Sequence, residues 1–471
     1  MHTIRIQFLL IMSVIAFCAG THDAFAQASF TGRWEGAIKL PGMDLGIIVH
    51  ITRTNDSLRG TIDIPMQMAK GLPLRDMAWT GADIRFALQA GPGLAGFSGT
   101  IAGDSIAGTF TQAAIRCPFI LRRAAPPATG PPLPYSAEEV TIPSAGITLS
   151  GTLTLPKEAG PHRAVILITG SGAQTRDEEI FGFAVFRTLA DHLTRNGFAV
   201  LRCDDRGVGS STGDFAKAVT DDFAADALAQ FRFLRERKDI DHDAIGFLGH
   251  SEGGLVATLV SSKEQDVAFV ILLAGPAVRG DKVISGQIER MMRSAGQPDS
   301  SVQHTLMLQE SVYGSVRADT GWAGVRSMLL DEMRKSMAEM SPEQRATSGI
   351  TDSVLSSRVD VQMGQVRSPW FRRFITYDPA PDIKRITCPM LALYGSLDSQ
   401  VPAIQSRPVL EGLVASSGKE NIAIRTLEGA NHLFQAAVTG SPTEYGSLKK
   451  EFMPGVLDGI TEWLLHTIPR R

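Results

Sequence analysis

The sequence predicts two units in tandem: a small all-β domain, then a larger α/β domain whose mostly parallel sheet is flanked by helices and interrupted by a helical block. Three observations predict this. Residues 29–123 are a series of short strand-like segments punctuated by Gly, Asp and Asn. From Arg163 onward, continuous apolar runs alternate with amphipathic helical stretches, the pattern of a parallel sheet covered on both faces. Between the two, Ala-Ala-Pro-Pro-Ala-Thr-Gly-Pro-Pro-Leu-Pro at 124–134 is dense in proline, which keeps a linker extended and semi-rigid.

The elements follow in order. His2 and Arg5 precede an apolar stretch from Ile6 to Ala19, and Ala24-Phe25-Ala26 fits the small-x-small rule for cleavage before Gln27. Residues 1–26 are therefore expected to be a signal peptide and the mature protein to be periplasmic or secreted. The stretch is short for a membrane span, although an uncleaved anchor is the alternative. Bulky Phe17 argues against lipidation at Cys18. The β-domain (27–123) carries strands such as Leu45–Arg53, Ser57–Ile64, Asp83–Gln89 and the run Gly96–Gln112, with turns at Asn55-Asp56-Ser57 and Gly103-Asp104-Ser105. Strands this short and this closely spaced imply a barrel or sandwich. Its opening, Phe30-Thr31-Gly32-Arg33-Trp34-Glu35-Gly36, is similar to lipocalin-like openings in which a Trp plugs a barrel end. A ligand binder and a domain that only packs on its neighbour are both open readings.

After the linker (124–137), the α/β domain (138–471) opens with two strands either side of Ser144-Ala145-Gly146. Strand Arg163–Thr169, helix Val185–Asn196, strand Phe198–Cys203, helix Asp221–Arg237, and strands Ala244–Gly249 and Val267–Leu273 follow. The alternation lapses over 280–374, a polar, Met- and Arg-rich stretch of helical pattern, and this block is read as a lid. It resumes with strand Met390–Tyr394, helix Ala403–Val414, strand Ile422–Leu427 and helix Lys449–His466.

Composition excludes several functions. The formal charge is −3 and the hydrophobic content 44%, values of a soluble globular protein with no basic excess for nucleic acid. No later segment is long and apolar enough to cross a bilayer. Cys117, Cys203 and Cys388 remain after signal cleavage, an odd count in apolar settings that reads as buried small hydrophobes. With no C-x-x-C or H-E-x-x-H, no metal and no cofactor are expected.

The chemistry centres on Gly249-His250-Ser251-Glu252-Gly253, where an apolar strand pattern passes straight into an apolar helix. A serine at such an apex is lifted clear of the sheet on a strained turn, and the flanking glycines remove side chains that would collide with neighbouring elements. A Gly-rich turn whose serine caps a helix is the bland alternative. The same pattern recurs at Gly209-Ser210-Ser211-Thr212-Gly213, but charged residues separate it from the preceding strand and no helix starts there, so Ser211 is read as part of a polar loop. A serine hydroxyl needs a base, and the base needs a group to orient it. Strand 391–395 runs into a loop ending at Asp398, and strand 422–427 into a loop ending at His432. His250 is expected to shape the pocket, since it cannot easily turn back onto its neighbour's hydroxyl. The oxyanion donors are expected to be the backbone N–H of Glu252 and that of Ser171 in Thr169-Gly170-Ser171-Gly172-Ala173, with Gly172 as the alternative. Asp205 and Arg206 are read as structural.

Four stretches in this order resemble the bacterial α/β-hydrolase-fold serine esterase and serine aminopeptidase-like group: residues 170–177, residues 204–211, the Ser251 turn, and the Asp398 and His432 loops. The likeness covers roughly residues 138–470. It implies an α/β-hydrolase fold with a lid and a Ser251–His432–Asp398 triad acting through an acyl-enzyme. Thr169 departs from the group, standing where many relatives have a histidine. The implied activity is hydrolysis of small esters of short acyl chains. A peptidase with the same triad is the alternative, and Glu252, Asp177, Glu178 and Glu179 are its candidate amine-binding acids. A non-enzymatic binder is disfavoured by the intact triad. Trp370, Phe371, Phe374 and the lid methionines are the expected lining of an acyl pocket.

Overall fold

The computed structural model describes residues 30–469 apart from 41–42, 55–56, 65–68, 91–92, 113–114, 125–132, 342–349 and 420. The signal-peptide reading, the Asn55-Asp56 turn and most of the Pro-rich linker lie outside the described residues.

The β-domain is a closed eight-stranded barrel. Its strands are β1 (Gly32–Leu40), β2 (Met43–Thr54), β3 (Ser57–Ile64), β4 (Ala69–Thr80), β5 (Asp83–Ala90), β6 (Gly93–Ala102), β7 (Ser105–Gln112) and β8 (Ile115–Arg123). Each pairs antiparallel with the next, and β1 closes on β8 from Trp34 opposite Arg123 to Ile38 opposite Phe119. Closure removes both sheet edges. Alternate residues point inward: Ile47, Val49 and Ile51 of β2 join Trp34, Phe86, Phe97, Phe119 and Leu121 in one cluster. The Trp34 indole donates to the Phe30 carbonyl at 2.9 Å, and the Arg123 guanidinium lies 4.2 Å over its ring.

The second sheet contains β9 (Tyr135–Ser144), β10 (Ile147–Pro156), β11 (His162–Ile168), β14 (Phe198–Cys203), β15 (Ile240–His250), β16 (Val270–Leu273), β17 (Met390–Gly395) and β18 (Ile422–Leu427). A two-stranded ribbon, β12 (Glu179–Ile180) and β13 (Phe183–Ala184), lies apart from it. The order is β18-β17-β16-β15-β11-β14-β10-β9, antiparallel at β9, β10 and β14 and parallel from β14 to β18. Strands β11, β14, β16 and β17 are buried along their whole length, which is why they read as continuous apolar runs. Helices Val185–Arg195, Thr220–Arg235, Glu252–Ser261, Ala403–Ser417 and Val456–Thr467 connect and cover the strands.

Between β16 and β17 the chain leaves the sheet for Gly280–Ser294, Asp299–Ala318, Trp322–Glu339, Asp352–Val366 and Pro369–Thr376. The final helix starts at Val456, not at Lys449, because Gly455 adopts a left-handed φ of 86° and Pro454 precedes it. The Lys449 carbonyl instead accepts from the Gln435 side chain at 2.7 Å.

Candidate active site

Ser251 sits between β15 and the helix Glu252–Ser261 with φ 53° and ψ −120°, a conformation that costs free energy and persists only where the surroundings impose it. The glycines impose it. A Cβ at Gly249 would lie 2.1 Å from the Gly253 carbonyl oxygen, and a Cβ at Gly253 would lie 2.1 Å from that of Ile168.

The structure brings His432 and Asp398 together. His432 Nδ1 is 2.8 Å from Asp398 Oδ2, and both side chains are almost fully buried. Asp398 Oδ1 accepts from the N–H groups of Gln400 and Val401 at 2.7 and 2.9 Å, so one oxygen fixes the turn and the other faces the imidazole. Nδ1–H donating to Asp398 leaves Nε2 as the basic nitrogen. The His432 loop is itself held by buried Asn431, whose Oδ1 accepts from Leu433 and Gln435 N–H. Ser251 and His432 line one cavity, but no hydrogen bond joins the Ser251 hydroxyl to His432 among the described residues.

The N–H groups of Ser171 and Glu252 donate to no acceptor among the described residues. Ser171 Oγ donates to Glu252 Oε2 at 2.7 Å, which ties the Gly170–Ala173 loop to the start of the helix. The same carboxyl accepts from Thr220 Oγ1 at 3.0 Å and from the Trp370 indole at 2.9 Å. Burial raises the Glu252 carboxyl above its usual pKa, against the lowering effect of these hydrogen bonds.

A second buried pair, which the sequence does not reveal, supports both halves of the site. His250 Nδ1 lies 2.9 Å from Glu178 Oε1, and His250 Nε2 lies 3.0 Å from the His432 carbonyl oxygen. Glu178 Oε1 also accepts from Gly170 N–H at 2.7 Å. Burial opposes charge on the imidazole, but the Glu178 carboxylate outweighs it and holds the His250 pKa above the ordinary value. Both imidazole nitrogens face acceptors, an arrangement that favours the doubly protonated ring. Glu178 and His250 are 72 residues apart in sequence, and no local pattern links them.

The four candidate amine-binding acids are mostly committed elsewhere. Glu252 and Glu178 are buried in the networks above, and Asp177 accepts from Arg202 Nε at 2.9 Å. Glu179 alone is part-exposed on the cavity, 3.6 Å from Arg33 of the barrel. Ser211 is held by Ser150 N–H at 2.9 Å and donates to the Asp204 carbonyl at 2.8 Å, a loop role. Arg206 clamps Asp226 with two hydrogen bonds of 2.8 and 2.9 Å. Asp205 accepts from Thr169 Oγ1 at 2.6 Å and from Gln174 N–H at 2.8 Å. Thr169 thus fastens its loop to β14's end.

The cavity measures about 640 Å³, within the size range of small-molecule sites. From the lid, Val283, Ile284, Gln287, Trp370 and Phe374 line it. Two lining expectations are corrected. Phe371 turns to Tyr313, with ring centroids 6.4 Å apart, and among the described residues no lid methionine lines the cavity. Met291 and Met307 lie on solvent-facing sides of their helices, while Met363 is buried among lid residues. Cys117 and Cys203 are buried and Cys388 is half-buried, all three as free thiols. No cluster that would hold a metal occurs among the described residues, and no described helix is long and apolar enough to cross a membrane.

A family model described as serine aminopeptidase, S33, matches residues 182–435, more than half of the chain. The chain belongs to this family. The matched span of the S33 hydrolase runs from the ribbon through the Ser251 turn to the His432 loop, and the barrel lies outside it. Esterase EstD of Thermotoga maritima is 28% identical over 334 residues, covering 70% of this chain and 68% of EstD. Among solved structures, the Pyrococcus furiosus esterase Pf2001 is 15% identical, with a TM-score of 0.43, over 73% of this chain and 95% of its own. The α/β hydrolase GrgF of a Penicillium species is 17% identical, with a TM-score of 0.42, over 71% of this chain and 98% of its own.

Proposed function

We propose that this S33 hydrolase is a serine esterase that cleaves carboxylic esters of short acyl chains. The observation that carries the reading is the strained Ser251 turn opening into the cavity that the His432–Asp398 pair also lines. In this reading His432 Nε2 takes the Ser251 proton as Oγ attacks the ester carbonyl. The oxyanion sits against the N–H groups of Ser171 and Glu252 at the helix start. Collapse expels the alcohol, protonated by His432, and leaves an acyl-Ser251. Water activated by the same imidazole then releases the acid. Asp398 holds the tautomer that makes Nε2 the base. Val283, Ile284, Trp370 and Phe374 of the lid set acyl size, each methylene changing the free energy of transition-state binding by about 1–3 kcal/mol.

The family's description favours a peptidase as the second reading. Its difficulty is the amine clamp, since three of the four acids are committed and the fourth faces Arg33. The test compares kcat/KM for 4-nitrophenyl acetate, butyrate and octanoate with aminoacyl 4-nitroanilides. Faster anilide cleavage would reverse the assignment.

A further inference from the structure

We infer that the β-barrel is part of the substrate site: its outer face forms the wall that receives the alcohol half of the ester, and the substrates are short-acyl esters of bulky, apolar alcohols. The inference rests on the esterase reading and extends it.

The strand register carries the argument. In β2, Ile47, Val49 and Ile51 are buried inward, so Ile48 points out of the barrel. Asp63 pairs with Ile48 across β2 and β3 and therefore shares that outer face. An outward residue on an isolated barrel faces water, yet Asp63 is only 8% exposed and both residues line the cavity that contains Ser251 and His432. Arg33 lies on the same outer face, paired across β1 and β2 with His50, and reaches Glu179 of the ribbon. His50 Nε2 lies 3.1 Å from Asp63 Oδ2, and Gly71 N–H donates to Asp63 Oδ1 at 2.7 Å, so this patch is ordered within the barrel. The barrel interior, by contrast, is filled with aromatic and branched side chains. Its contribution is thus an outer wall, not a ligand-binding lumen.

Volume then limits the ligand. A short acyl group occupies a small fraction of about 640 Å³, so the remainder must take the alcohol. Among the described residues the barrel and ribbon contribute Ile48, Leu72, Ile180 and Phe181 to the lining, side chains that suit an apolar alcohol.

The test uses the full chain and two ester series. One enlarges the alcohol at fixed leaving-group chemistry: ethyl, benzyl and 2-naphthylmethyl acetates. The other lengthens the acyl chain: 4-nitrophenyl acetate, butyrate and octanoate. Wild type should prefer 2-naphthylmethyl over ethyl acetate. Ile48→Trp should lower the kcat/KM ratio of 2-naphthylmethyl over ethyl acetate about tenfold or more and leave the ratios among 4-nitrophenyl acetate, butyrate and octanoate, which share one alcohol, unchanged. Ile48→Ala, which cannot clash, should lower the same naphthylmethyl-over-ethyl ratio by about three- to tenfold. A change in the acyl-series ratios instead, equal losses on all esters, or no loss on any would each overturn the inference. The esterase reading fails separately, if wild type does not cleave 4-nitrophenyl acetate or Ser251→Ala retains the activity.

Discussion

The Glu178–His250 pair is expected to be a charged strut whose removal loosens both the oxyanion loop and the base. Its side chains are 1% and 2% exposed and 2.9 Å apart. At that distance the gross attraction is about 6 kcal/mol at an effective dielectric constant near 20, with desolvation set against it. Glu178→Ala strands the Gly170 N–H and removes the imidazolium's counter-charge, and breaking such a pair costs about 3–5 kcal/mol. Glu178→Gln separates charge from shape. Its amide oxygen can keep the Gly170 bond, but a neutral His250 has one N–H for two acceptors, so one hydrogen bond is lost at about 1–3 kcal/mol. The pH dependence carries a definite sign. A folded His250 pKa above the ordinary 6.5 contributes stability that is complete below about 6.5 and lost as pH rises through the folded value. Wild type should therefore lose stability on the alkaline side. In Glu178→Gln that loss should move to lower pH, along with the alkaline limb of kcat/KM. Urea denaturation at a series of pH values and a pH–rate profile measure both. A cost below about 1 kcal/mol for Glu178→Ala, with superimposable profiles for wild type and Glu178→Gln, would refute the charged strut.

Ser251→Ala should lower kcat by roughly four to six decades with the fold intact, whereas Ser211→Ala should keep kcat and cost only some stability; steady-state kinetics and thermal unfolding read both. Glu252→Ala removes the acceptor shared by Ser171, Thr220 and Trp370, so kcat should fall at least about tenfold, with Glu252→Gln recovering most of it; equal activity in the two variants would count against a bridging role. Burial raises Asp205 to about 8 against an ordinary 3.8, so its contribution to stability is complete below about 4 and lost as pH rises to about 8. The stability difference between Asp205→Asn and wild type should consequently grow in the variant's favour across that window, and a pH-independent difference would contradict this. Protein recovered from the native host should begin at Gln27, which N-terminal sequencing checks; a start at Met1 would contradict cleavage.

What was legible in the sequence was whatever depends on neighbours along the chain. The Ser251 turn was legible in five consecutive residues because the collision at Gly249 is with Gly253 itself, whereas the one at Gly253 is with Ile168 of β11 and shows only in the fold. The buried strands announce themselves because both faces are covered. Asp398 and His432 could be named because each lies where a late strand ends, although the turn that Asp398 Oδ1 fixes at Gln400 and Val401 could not be foreseen. The lid was legible only as a helical interruption. Its helices present polar residues on most faces, so Asp299–Ala318 leaves no clear periodic signature, and which aromatics turn inward depends on packing among helices.

The pairs that join the site's parts were not legible, since they connect residues whose proximity only the topology creates. β11 and β15 are adjacent in the sheet although β14 intervenes in the chain, and that places the Gly170 loop and His250 side by side. Glu178 then satisfies both, and the His432 loop closes from the far end of the chain. The barrel's role follows the same logic. Ile47-Ile48-Val49 puts three apolar residues in succession on β2 and departs from strict alternation. Phe119-Ile120-Leu121 of β8 does the same with Ile120 exposed. The run alone therefore marks no site, and only the packing of the chain shows that Ile48 lines the cavity beside Ser251.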